Sequence, residues 1–168
     1  MSTRLVLASV VAIVGFGVVA ETPLATQKTQ PRKVTPTEYG VGAIPSFSTS
    51  GKIGKWKAVM KVTGASDVHI LSNRIAPGGS FGWHSHPGPS FVTIKKGTAT
   101  VYFGADPTCR AHRYRAGKGF VDKGLQVHLV RNEGKVDLVT VVVSFTPRGA
   151  MRRIDEPNPA NANCPIEP

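Results

Sequence analysis

The chain is short of acids. Ten Asp and Glu stand against 21 Lys and Arg, a formal charge of +11 over 168 residues. Such an imbalance attracts polyanions in general. Here the basic residues are scattered, and the one cluster, "RAHRYRAGK" from Arg110 to Lys118, has no nucleic-acid motif around it, so no nucleic-acid partner is expected. The expectation is a solvated basic surface with weak contact to anionic cell-envelope polymers. Helical stripes, internal repeats and low-complexity tracts are absent too, which argues against a helical architecture. There is one long apolar run, Leu5 to Val19, and it falls short of the roughly 20 residues a membrane span needs. Arg4 precedes it, and Val18 and Ala20 fill small-residue cleavage positions, so residues 1–20 read as a signal peptide cut after Ala20. A secreted, periplasmic or cell-envelope location follows. Cysteine is limited to Cys109 and Cys164. In an exported chain this even count favours one internal disulfide worth roughly 4 kcal/mol at most, with an intermolecular bridge or two free thiols as the alternatives.

The rest of the chain divides by texture. Residues 21–54 are polar and interrupted by Pro23, Pro31, Pro36 and Pro45, and read as an extended N-terminal arm with one short strand at most. From 55 to 148 the sequence runs in short stretches of Val, Ile, Phe, Tyr and Thr between Gly-containing turns, including "SFVTIKKG", "TATVYFG", "QVHLVRNEG" and "KVDLVTVVVSFTPRG". Regularly spaced short strands predict one all-β domain, a sandwich or small barrel. "KKGT" (95–98) and "NEGK" (132–135) are expected hairpin turns, with Gly97 and Gly134 at positive φ. Residues 149–168 read as an irregular tail that the disulfide would pin to the body.

Within the strands, His84 and His86 are one residue apart, so on an extended backbone both imidazoles leave from the same face. His128, in "QVHLVRN", offers a third. Three histidines would leave a divalent metal with open positions for water or substrate. His69 and His112 belong to no ligand spacing and are not expected to be ligands.

These residues resemble the motifs of the cupin superfamily. Gly78, His84, His86 and Gly97 stand at the spacings of the first cupin motif, G-x5-H-x-H-x3 or 4-E-x6-G, with Ser90 at the glutamate position. Gly117, His128 and Asn132 match the second, G-x5-P-x-G-x2-H-x3-N, with Lys123 at the proline and Leu125 at the glycine position. The resemblance spans about residues 56–147. It implies an antiparallel jelly-roll barrel, the double-stranded β-helix, and one divalent transition metal (Zn, Cu, Ni, Fe or Mn) on His84, His86 and His128. The motif's carboxylate ligand has no counterpart here, so the expected ion is held by three neutral nitrogens. A homodimer is also implied.

Strand parity places Ser90, Val92 and Ile94 inward and Thr93 and Lys95 outward. Trp83, Ser90, Val92, Tyr102 and Gln126 are the expected pocket residues, Trp83 with Phe81 at the mouth. Arg74, Tyr102, Gln126 and Ser90 are the thin set of acid–base candidates. Three functions remain open: a metalloenzyme with dioxygenase-like, hydrolytic or isomerase chemistry on a small molecule; a non-catalytic small-ligand or metal-binding module of the envelope; and an adhesive envelope protein.

Overall fold

The structure is a computed structural model that describes residues 27–159 together with Cys164 and Ile166. The expected signal peptide lies outside the described residues. Eleven strands and no helix are found among the described residues. Nine of the strands form one antiparallel sheet that curls into a nearly closed barrel: β4 (Ser66–Ser85), β5 (Ser90–Lys96), β6 (Thr98–Phe103), β7 (His112–Arg115), β8 (Gly119–Asp122), β9 (His128–Arg131) and β10 (Leu138–Pro147), joined by β1 (Arg32–Ile44) and β11 (Ile154–Asp155). Their main path runs β7-β6-β9-β4-β10-β5-β8. Backbone bonds between Ile94 and Lys118, and between Gly117 and Ile94, draw its two ends together. This is the expected jelly roll.

The strand β4 is the hinge of the architecture. Its first half, Ser66 to Ile75, pairs with β1 on one edge and β10 on the other, while its second half pairs with β9 and β11. One strand thus serves both layers. The bend between them passes through Gly78, at φ 70°, and Gly79, where a Cβ would sit 2.8 Å from the Ala76 carbonyl oxygen. Neither position tolerates a side chain without strain.

The interior is filled by Ile75, Ile94, Ala99, Val101, Val130 and Leu138, backed by Phe81, Val92, Phe103, Tyr114 and Phe120. A second cluster lies on the other side of the β4–β9–β6 layer: Trp83, Tyr102, Leu129 and Cys164, with Cys109, Ala111, Val127 and Ile166 against them. Cys109 and Cys164 are bonded to each other, within one chain, so the tail covers this outer cluster.

Three expectations change. The segment 21–54 is more regular than an arm: β1 runs 13 residues along β4, and β2 (Phe47–Ile53) pairs with β3 (Trp56–Val62) in a separate hairpin. Pro36 is tolerated within β1 because β1 is an edge strand. The tail is not wholly irregular, since Ile154 and Asp155 pair with Ser85 and His84. Neither expected hairpin turn joins paired strands, because β5 and β6 lie in different layers and β9 and β10 flank β4. Gly97 has the expected positive φ of 77°, whereas Gly134 does not; its N–H instead donates to Asn132 Oδ1 at 3.0 Å. The Asn132 amide also donates to the carbonyls of Ile75 and Val136, 2.8 Å each, so this buried asparagine ties the turn to the β4 bend.

Candidate metal centre

His84 and His128 are direct cross-strand partners on β4 and β9, and His86 follows at the end of β4. Period-two alternation sends all three inward. They are buried, at 3%, 6% and 3% exposure, and one nitrogen from each lies within 4.8 Å of the others. The opposite nitrogen of every ring is engaged by a backbone carbonyl. His84 Nδ1 meets Gly82 O at 2.8 Å, His86 Nδ1 meets Arg152 O at 2.7 Å, and His128 Nδ1 meets Gln126 O at 2.8 Å. A carbonyl can only accept, so each Nδ1 carries the proton and donates it, and each Nε2 presents a lone pair. Burial holds the His84 imidazole well below the usual 6.5, helped by the His128, Arg153 and His86 charges. Burial likewise lowers His86 to about 4, against the opposing pull of its bond to the Arg152 carbonyl. Neutral imidazole is the form that binds metals.

Asp122, at the end of β8, was not foreseen. Its register partner across the sheet is Ser90, the residue at the motif's glutamate position. The carboxyl group is buried; Oδ1 accepts the Gly124 N–H at 3.0 Å, and Oδ2 has no hydrogen-bond partner. That oxygen lies 3.5 Å from His86 Nε2 and 3.7 Å from His128 Nε2. A buried acceptor without a donor is costly unless something cationic faces it. Two donors about 2.1 Å from one tetrahedral ion are about 3.4 Å apart, close to these separations. Three imidazole nitrogens fit a divalent transition metal, and Asp122 lies beside two of them without joining the cluster that spans all three. The cluster that could hold an ion is the expected three histidines, and a carboxylate the sequence reading did not foresee stands beside it, one strand from Ser90.

The cavity has a volume of about 50 Å³ and is walled by Phe81, Val92, Phe120, Val130 and Val142 around the polar cluster. Ser90 and Val92 line it, and Ser90 Oγ is paired with Ser144 Oγ at 2.8 Å. Phe81 lines it as well, its ring 5.6 Å from that of His84. The other expected pocket residues lie elsewhere. Trp83 alternates with His84 and so points to the outer cluster, fully buried. Tyr102 sits beside it; its hydroxyl donates to Glu133 at 2.7 Å, and burial together with that carboxylate pushes it up to about 12. Gln126 serves the site through its carbonyl, while the residue lines a wider outer groove of about 510 Å³. Arg74 is on the surface, paired with Asp137 at 2.8 Å. His69 contacts Glu38 and Thr146, and His112 lies against Phe103, so neither joins the cluster.

Besides Asp122, the sequence reading missed Arg152 and Arg153, which reach the cavity from the tail. The only signal for Asp122 was its same-face spacing from Phe120 in "GFVD"; the tail arginines gave none.

The Cupin domain family model matches residues 73–144, the stretch that carries His84, His86, Ser90, Asp122 and His128. The chain carries a cupin domain. No curated protein sequence matches it. Among solved structures the cupin is similar to a cupin-like protein of Thermotoga maritima (18% identity, covering 61% of this chain and 84% of that one, TM-score 0.46). A conserved double-stranded β-helix protein of Klebsiella pneumoniae aligns at 20% identity over 67% of this chain and 85% of its own, with a TM-score of 0.45. An oxalate oxidase aligns at 26% identity over 55% of this chain, with a TM-score of 0.42, and this chain spans only 44% of its length.

Proposed function

We propose that this cupin holds one divalent transition metal on His84, His86 and His128, with Asp122 as the adjacent anionic group, and uses it on a small molecule outside the cytoplasm. The observation that carries this reading is the triple engagement of Nδ1 by backbone carbonyls, which leaves three buried Nε2 lone pairs around one point. Export is supported by the Leu5–Val19 run and by the disulfide, a bond that belongs to oxidising compartments.

A bound ion of this kind supplies Lewis-acid polarisation, or one-electron chemistry where the ion is redox-active. The chain contributes the rest. The carbonyls of Gly82, Gln126 and Arg152 fix ring orientation and tautomer. The apolar walls keep bulk water from a ligand and strengthen every charge inside. Asp122 Oδ2 is the one carboxylate oxygen facing the histidines among the described residues, so it balances positive charge. The chemistry such a centre supports is oxygen-dependent cleavage, hydrolysis or isomerisation of a small molecule.

Metal analysis of untagged mature protein from an exporting host tests this. Close to one ion per chain is expected, and none in a His84→Ala/His128→Ala control. Absence of metal from both, with no uptake on reconstitution, would overturn it. The narrowness of the cavity favours one second reading, a binding module that retains its ligand without turnover. Full metal loading with no reaction across a panel of small acids, esters and phenols would select it.

A further inference from the structure

We propose that Arg152 is an anion-binding residue of this site and that the molecule it receives is a small organic carboxylate. The inference rests on the metal reading above and deepens it.

The three imidazoles are neutral when their Nδ1 protons are held by carbonyls, and Asp122 brings one negative charge. Arg153 lines the cavity but is already neutralised: its Nε donates to Asp155 Oδ1 at 2.6 Å and its Nη2 to the Phe81 carbonyl at 2.6 Å. Arg152 lines the same cavity, is half-buried, and has no acidic partner at ion-pair distance among the described residues. Burial, then the neighbouring Arg153 charge, make its cationic form costlier than in water, and Glu38 offsets this only in part. With a divalent ion in place the enclosure would carry an excess of two positive charges. Such an excess in a poorly solvated space calls for an anion.

The shape of the enclosure selects the kind of anion. A guanidinium offers a planar fork that matches a carboxylate with two parallel hydrogen bonds. The lining also includes Phe81, Val92, Phe120, Val130 and Val142, which suit carbon rather than a fully oxygenated ion. The cavity of about 50 Å³ limits the ligand to a few heavy atoms beside the metal. Arg152 is held where it can act, because its own carbonyl receives His86 Nδ1 and the next residues pair with β4.

The test uses full-length mature protein loaded with Co²⁺, whose visible spectrum reports coordination. Acetate, its neutral isostere acetamide, and inorganic phosphate are titrated into wild type, Arg152→Gln and Arg152→Lys, and followed by calorimetry and by the cobalt bands. Acetate is expected to bind wild type at least tenfold more tightly than acetamide or phosphate. Arg152→Gln should weaken acetate about ten- to hundredfold, as loss of a charge-assisted bidentate pair does, and Arg152→Lys less. Cobalt loading should persist in all three proteins, so that acetate affinity is compared on loaded protein. Equal acetate affinity in wild type and Arg152→Gln overturns the role of Arg152. Acetamide or phosphate binding as tightly as acetate overturns the carboxylate. Failure of wild type to take up cobalt overturns the metal reading first, and this inference with it.

Discussion

Trp83 and His84 are adjacent in sequence and belong to different parts of the molecule. Across the layer, Trp83 faces Leu129 and Leu129 faces Tyr102, a row that closes the outer cluster beneath the disulfide. One residue along, His84 faces His128 and His128 faces Phe103, a row that opens into the cavity. The same three strands present an apolar, tail-covered side and a polar, ligand-ready side, separated only by parity. A one-residue slip would exchange them, so the apolar row is what keeps the histidine row in register.

If that division of labour holds, substitutions in the two rows should fail in different ways. The largest effect belongs to the inner row: His128→Ala should take metal content from near one ion per chain to near none by elemental analysis, with the thermal midpoint of the metal-free protein little changed. A metal-free His128→Ala protein that is grossly unfolded would erase the distinction. In the outer row, Trp83→Ala removes the largest fully buried side chain and should cost about 3–5 kcal/mol in denaturant unfolding, while the folded fraction still loads metal. The Cys109→Ser/Cys164→Ser pair opens a loop of sequence separation 55. A loss of up to about 4 kcal/mol is expected, again with the metal site intact.

Smaller effects sharpen the inner row. Asp122→Asn keeps the Gly124 contact but removes the charge, and should weaken metal binding about ten- to hundredfold, as loss of an anionic group at a metal site does; unchanged affinity in a competitive chelator assay would remove Asp122 from the metal centre. The mildest is a pH effect on the metal-free protein. Since His84 is held well below 6.5 and His86 is lowered to about 4, the unfolded chain takes up protons first as pH falls. Stability is therefore full above about 6.5 and declines toward about 4. Chemical denaturation at pH 7.5 and about 5 measures it, and His86→Gln should flatten the decline.

The two rows were not equally legible in the sequence. Parity alone sends His84 and His86 to one face, and glycine spacing linked His128 to them although it lies 42 positions beyond His86. Parity also bars Trp83 from the face of His84, a deduction available from "GWHSH" that the expected pocket overlooked. Asp122 was out of reach for a different reason. Its pairing with Ser90 is a contact between β5 and β8, and no local pattern states which strand lies beside which. The fold was legible because short strands and turn residues are local signals; the adjacent carboxylate and the tail arginine were not, because both are products of closure.

The Arg152 carbonyl that holds His86 lies after β10, with only β11 of the sheet following it. During synthesis β1 to β10 emerge before it. A chain can thus pair β4 with β9 and β10 and still lack the acceptor that orients its third imidazole. If the proposed export holds, that ordering moves the choice of ion from the place where the chain is made to the place where it finishes folding. The supply of metals there, rather than the donor set alone, would then determine which ion the protein carries.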